Sequence, residues 1–470
     1  MQFYLKSILF ILPIIFLNFL SFSQEEKGIS GNFIISDIEL SGNKITKQDI
    51  IIRELLFNVG DTVRSIDINS IIELSRENLL NTSLFNFVTI NYDIDSQFYL
   101  RIKIDLQERW YIWPYPVLEY IEGNLSTFLK NKEWSRTDYG LFVLINNFRG
   151  RKEILKLKSI FGYNNRFVLY YNKPFIDKQK KTGIGFDIDY FRNHEIAYQI
   201  LNDELVYLKL NGKFARKTLK LSTFVSYRPY LYTNHKFTLR YTNVNVSDSV
   251  IILNPDYLYG GNKDISFITL FYKFDYDKRD SKIYPLQGFK FNTSLIVEGI
   301  GINSDEGTFY LKSVIEDNFK IANRLFFNTG IEGKISFDNI KSHYFSEAIG
   351  FKNYIRGMEY YSTLGKNYYI SKSNLKYELI PQSTFNMDFI STEKFSKVHF
   401  AMYCNLFFDT GYVNSEFVSN NILVNEFLYS GGFGIDFVTY YDKVLRIEYS
   451  LNKFGDHGVF IHLGAPIIEN

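Results

Sequence analysis

From about residue 138 to residue 463 the sequence alternates apolar and polar residues with a period of two and shows almost no helical pattern. Leu445, Ile447, Tyr449 and Leu451 share one face, and Arg446, Glu448 and Ser450 share the other. Phe289, Phe291, Thr293, Leu295 and Val297 alternate in the same way with Lys290, Asn292 and Ser294. Stretches of about ten residues with one apolar and one charged face suit a tilted membrane strand, since lipid takes the first face and a hydrated lumen the second. A soluble sandwich also alternates, but the number of segments and the charge on their polar faces favour a barrel. Roughly sixteen segments can be counted, and an even number returns both ends of the sheet to one side of the membrane. The expected fold is therefore mainly β, an antiparallel transmembrane β-barrel of about sixteen strands over residues 138–470.

Composition agrees with this. Aromatic residues make up 18% of the chain, with 36 Tyr and 45 Phe against 9 Pro, which suits strands and interfacial girdles. A net charge of +2 gives no field for nucleic acid. Residues 1–23 read as a signal peptide, with Lys6 ahead of an apolar run and small residues at Ser21 and Ser23. A membrane anchor is the alternative, but Pro13 and Asn18 interrupt the run. The single cysteine, Cys404, makes no internal disulfide, so an exported chain must be stable without one.

Between the signal and the barrel, residues 33–109 have mixed periodicity and read as a small α/β domain. The expected order is a strand at 33–40, a helix opened by a capping box at Thr46 and Asp49 and running to Leu56, a second helix through Ile68 and Leu80, and two strands. Residues 110–137 read as a linker into the barrel.

Strand parity selects candidate site residues. Phe400, Met402, Cys404, Leu406 and Phe408 form one face of a strand, which turns Asp409 toward the lumen; the same count turns Asp436 inward. Arg356 and Gly357 lie in a long polar gap at 339–366. If that loop folds inward, its arginine meets these carboxylates where a hydrogen-bonded pair is stronger than at a surface. Alternatively Arg356 stays in water and Asp409 lines a polar pore; parity leaves both open.

The Arg356–Gly357 pair, and Phe408 and Asp409 followed by Thr410 and Gly411, resemble the signature of the BamA/TamA superfamily of outer-membrane assembly and transport proteins. So does the turn pattern Asp277, Arg279, Asp280, Tyr284, Pro285 and Gly288, which reads as a charged periplasmic turn in preference to a catalytic cluster. The unit at 33–109 is similar to one POTRA domain. Met358 departs from the pattern, which usually has an aromatic after Arg-Gly, and there is room for only one POTRA domain.

The resemblance implies a protein of the bacterial outer membrane with its POTRA-like domain in the periplasm. It would assist insertion or translocation of unfolded outer-membrane or secreted polypeptides, with periplasmic or lipoprotein partners meeting that domain. The mechanism implied is β-augmentation at a lateral seam. Seam residues are expected at Tyr139 and Gly140 in the first strand and at Gly458, Ile461 and Gly464 around the last. No catalytic triad, phosphate loop or metal-ligand cluster stands out, so neither enzyme nor cofactor is expected. A passive pore, a non-opening accessory subunit and a lipid-homeostasis factor are alternatives on the same architecture.

Overall fold

In the computed structural model the described residues are 31–464, apart from 96–97, 121–135, 259, 302–306, 339–341, 352, 389, 391, 417–420 and 442. The signal-peptide reading at 1–23 lies outside them.

The N-terminal domain runs β1 (Asn32–Ser41), α1 (Gln48–Ile52), β2 (Thr62–Arg64), α2 (Ile68–Leu80), β3 (Phe85–Ile94) and β4 (Tyr99–Glu108). Its sheet has the order β2-β1-β4-β3, with β1 and β4 parallel. Ile35, Ile51, Phe57, Leu79, Phe85, Ile102 and Ile104 fill one core between sheet and helices. The first helix is shorter than the sequence pattern suggested, and the capping box does not form. Lys47 sits at the N-cap without a side-chain bond, and Thr46 Oγ1 is engaged by Tyr111 and Asn147 instead. Strand β2 is too short for period-two reading to have found it.

Sixteen further strands form one antiparallel sheet. They are β5 (Ile112–Tyr120), β6 (Thr137–Phe148), β7 (Glu153–Gly162), β8 (Asn165–Lys173) and β9 (Thr182–Asn193), then, after a separate hairpin of β10 (Glu195–Leu201) and β11 (Glu204–Lys209), β12 (Arg216–Tyr230), β13 (Thr233–Val246) and β14 (Asp264–Arg279). The set continues with β15 (Gly288–Ile300), β16 (Thr308–Ala322), β17 (Leu325–Ser336), β18 (Asn367–Asn386), β19 (Lys397–Asn414), β20 (Phe427–Thr439), β21 (Lys443–Asn452) and β22 (His457–Leu463). Each strand of the sheet pairs with its neighbour in the chain, apart from the step over β10–β11. Phe237, Leu239, Leu270, Leu295, Ile331, Phe408, Phe433 and Ile447 are exposed on the outer face, while Lys290, Glu316, Asn328, Lys376, Asp409 and Glu448 are buried inside. Among the described residues no helix is long and apolar enough to cross a membrane; the apolar belt is carried by strands.

The barrel begins earlier than expected. Residues 112–120, read as part of a linker, pair with β6 along their length. Pro114 and Pro116 disguise them, because proline inside an alternating run argues against a central strand. Tyr139 and Gly140 therefore lie in the second strand, between β5 and β7, and are not at the seam. The seam lies between β5 and β22.

Ile104 is fully buried at the centre of the N-terminal core. Ile104→Ala should destabilise that domain by about 2–5 kcal/mol. The expected result is earlier proteolysis within 31–109 on heating, with the barrel's heat-dependent gel mobility unchanged.

Candidate functional site: a latched lumen under a docked cap

The loop between β17 and β18 enters the barrel from the end opposite the N-terminal domain and brings Arg356 to the inner wall. The Nε of Arg356 donates to Asp409 Oδ2 at 2.8 Å and its Nη2 to Oδ1 at 2.5 Å. Nη1 donates to Asn374 Oδ1 at 2.7 Å and to Glu448 Oε1 at 3.1 Å. The guanidinium lies over the Phe407 ring, 4.0 Å from its centroid. Three glycines make room. Gly357 has φ +81°, and a Cβ there would press on Ser450. A Cβ on Gly411 would meet Ile355, and one on Gly432 would meet the Phe407 ring and the Tyr449 carbonyl. Phe408 faces outward. Met358 packs with Ile355 in an apolar cluster at the same depth.

Asp436 is not a partner of Arg356, as the sequence reading had it. It faces the lumen but accepts from Arg446 Nε at 2.9 Å, from Asn405 at 3.0 Å and from the Tyr284 hydroxyl at 2.7 Å. Arg446 stands directly across the strand pair from it, and a cross-strand neighbour takes precedence over a loop residue farther along the lumen. Glu448, one register step from Arg446 on the same polar face, is the second carboxylate at Arg356 and is also 3.6 Å from Arg446. Parity had marked that face, so Glu448 and Asn374 were within reach of the sequence pattern; their depth was not.

Tyr284 belongs to the turn between β14 and β15, which folds into the lumen from the end that carries the N-terminal domain. Its ring packs against Tyr403 and under the Lys376 ammonium, and Asn328 donates to the Pro285 carbonyl at 2.9 Å. At the foot of the turn Arg279 bonds both oxygens of Asp277, at 2.8 and 2.9 Å, and reaches Glu316. Asp280 accepts from the backbone N–H of Ser281 and Leu286, and Gly288 has φ +100°. The turn is folded on itself, and Arg279 also ties it to Glu316 on β16. Asp277, Arg279, Asp280, Pro285 and Gly288 thus act together as its scaffold.

The N-terminal domain docks across that same mouth. It reaches every hairpin turn at this end except, among the described residues, the one at 322–325. Lys47 N–H bonds Gly150 O at 2.9 Å, Arg53 bonds Lys180 O, Asn81 spans Arg279, Asp280 and Lys282, and Asn86 bonds Lys394 and Tyr440. The strongest joint is Glu54, buried against Arg228 by bonds of 2.6 and 2.8 Å, with Lys152 at 3.7 Å. Burial opposes ionisation of Glu54, yet Lys152 and Arg228 more than offset it and hold the carboxyl down to about 2. Burial pushes the Lys152 ammonium down to about 8, with Glu54 opposing. At the far end the Asn202–Asp203 turn of β10–β11 reaches loop 421–423, where Asp203 accepts from Ile422 N–H at 2.7 Å.

The described residues thus combine a sixteen-stranded sheet, a loop arginine bound inside it and one small α/β domain docked beneath. Residues 33–109 match the family model described as POTRA, surface antigen variable number repeat. The structure is similar to BamA from Haemophilus ducreyi lacking POTRA domains 1–3, with 14% identity, a TM-score of 0.50, and coverage of 92% of this chain and 84% of that one. CdiB from Acinetobacter baumannii has 13% identity and a TM-score of 0.48, covering 92% of this chain and 74% of its own. CdiB from Escherichia coli has 10% identity and a TM-score of 0.48, covering 95% and 93%. No curated protein sequence matches the chain. The family model thus covers the small domain, and the likeness to BamA is one of fold.

Two outcomes test this geometry. Arg356→Ala leaves Asp409 and Glu448 buried without their cation, and should destabilise the loaded lumen by about 3–5 kcal/mol. The loop at 353–358 should then become cleavable from the far side, whereas Asp436→Asn should leave it protected. For Glu54 the folded pKa lies below its ordinary value, so its stabilisation is complete above about pH 4.5 and is lost as pH falls toward 2. The shift corresponds to about 3 kcal/mol. Hydrogen exchange in α1 should accelerate over that window in the native protein, and already at neutral pH in Glu54→Gln.

Proposed function

We propose that the protein is an outer-membrane barrel, with its POTRA domain in the periplasm, that assists insertion or translocation of polypeptides through a lateral seam. The observation that carries this reading is the seam itself. Among the described residues no β-ladder joins β5 to β22, the two ends of the sheet. An unpaired strand edge is costly in hydrocarbon, because lipid offers no hydrogen bonds, so such an edge recruits a partner strand. The last strand is also short: β22 has 7 residues, against 20 in β18 and 18 in β19. A spanning strand needs about 9–11 residues, so the apolar belt is thin at β22.

The loop latch at Arg356 and Gly357, the inward turn at 280–287 and the docked POTRA domain define a resting state on this reading. Asp409 and Glu448 hold the latch, and the free edges of the POTRA sheet, β2 and β3, offer an approaching chain a first place to pair. A passive pore fits less well with a lumen filled from both ends. No covalent step is invoked.

The test is to replace Cys404 with Ser and bridge cysteines placed at Leu118 and Val459 with a bifunctional maleimide. Bridging should stop insertion of an unfolded barrel protein into vesicles that carry the full-length protein, and depletion in cells should lower the outer-membrane protein content. Undiminished insertion by the bridged protein would overturn lateral opening and leave an accessory role.

A further inference from the structure

The two edges at the seam are chemically unequal, and backbone parity shows how. Asn146 N–H donates to Tyr111 O at 2.8 Å, so odd-numbered residues of β5 turn their backbone groups toward β6. Tyr163 N–H donates to Thr137 O at 3.2 Å, which turns odd residues of β6 toward β7 and even ones toward β5, in agreement. The backbone groups of β5 that face the seam are therefore those of Ile112, Pro114, Pro116 and Leu118. Proline has no N–H, so two successive donors are missing from this edge.

On the other side, Gly464 N–H donates to Val444 O at 2.8 Å and Asn452 N–H to Asp456 O at 3.0 Å. Even residues of β22 thus face β21, and the seam receives His457, Val459, Ile461 and Leu463, each with its donor and acceptor intact. Val459, Ile461 and Leu463 also expose their side chains, at 65%, 67% and 84%. The edges cannot satisfy each other. Paired together, β5 would leave acceptors of β22 unmatched in the middle of the seam, an arrangement lipid penalises.

We infer that β22 is the edge that receives a client, and that Pro114 and Pro116 keep β5 from competing for the same backbone groups. The occupant is an extended, proline-free segment of an unfolded polypeptide, apolar at alternate positions to lie beside Val459, Ile461 and Leu463. This rests on the lateral-seam reading above and adds a direction to it. Proline on an edge strand commonly blocks unwanted pairing; here it is confined to one side of the seam and leaves the other open.

The experiment uses full-length protein with Cys404→Ser, reconstituted in phospholipid vesicles. The probe is a urea-unfolded eight-stranded outer-membrane barrel protein with one cysteine in its last strand. With copper phenanthroline added as the oxidant, single cysteines at Val459 or Ile461 should form mixed disulfides with the probe, and those at Ile112 or Leu118 should trap about a tenth as much or less, as two missing hydrogen bonds imply. Pro114→Ala with Pro116→Ala should raise trapping at Leu118. Val459→Pro with Ile461→Pro removes only donors that face the seam, so the barrel should keep its heat-dependent gel mobility while trapping at a cysteine on Leu463 is lost. Preferred trapping on β5, trapping on β22 that survives the two prolines, or disulfides between two copies of this chain in excess of probe would each overturn the inference. If bridging Leu118 to Val459 leaves insertion unchanged, the seam reading fails. If bridging stops insertion and the β22 prolines do not, only the choice of edge fails.

Discussion

The Arg356 guanidinium, held between Asp409 and Glu448, is the contact that ties the far-end loop to the inner wall of the barrel. Sixteen alternating strands place their polar faces inward, and those faces carry carboxylates that cannot be left dry and unpaired. A loop cation answers that need from one end. From the other end the Tyr284 hydroxyl answers the need of Asp436. Arg446 lies between them, 2.9 Å from Asp436 and 3.6 Å from Glu448, so the two plugs share one chain of charges. The turn that carries Tyr284 is also the one that Asn81 of the POTRA domain grips. Far-end loop, lumen and POTRA domain are thus in continuous polar contact.

Buried ion pairs of this kind add little net stability over a packed apolar core, because desolvation offsets much of the attraction. Their effect is on which arrangement is allowed. With Arg356 in place the carboxylates are satisfied, and with it withdrawn they need water or another cation. That makes the loop's position and the hydration of the lumen interdependent. Gly357, Gly411 and Gly432 belong to the same device, because each admits a group that a side chain would displace.

What could be read from the sequence was what repeats. Period two located the strands and the inward face of Asp409, since a one-residue error would have put its apolar neighbours in the lumen. Parity does not give height along the barrel or position around it, so it could not decide that Asp436 belongs to Arg446 and that Glu448 belongs to Arg356. The docking of the POTRA domain was hidden for a related reason. Thr46, Arg53 and Glu54 look like parts of a helix start and end, yet they are drawn out to Tyr111, Lys180 and Arg228, and α1 stops at Ile52 accordingly. The first strand was missed because Pro114 and Pro116 break the pattern by which strands are recognised.

Those prolines also bear on the proposed seam. A residue that cannot donate is excluded from a strand with neighbours on both sides, and is tolerated on a strand with a neighbour on one side only. Finding two of them with even spacing in a strand that pairs fully with β6 therefore says, without reference to any partner, that the opposite edge of β5 is not built to be zipped. The lumen is closed by charges that find partners within the chain. Among the described residues no ladder joins β5 to β22, and of these two edges β22 alone presents its backbone donors complete.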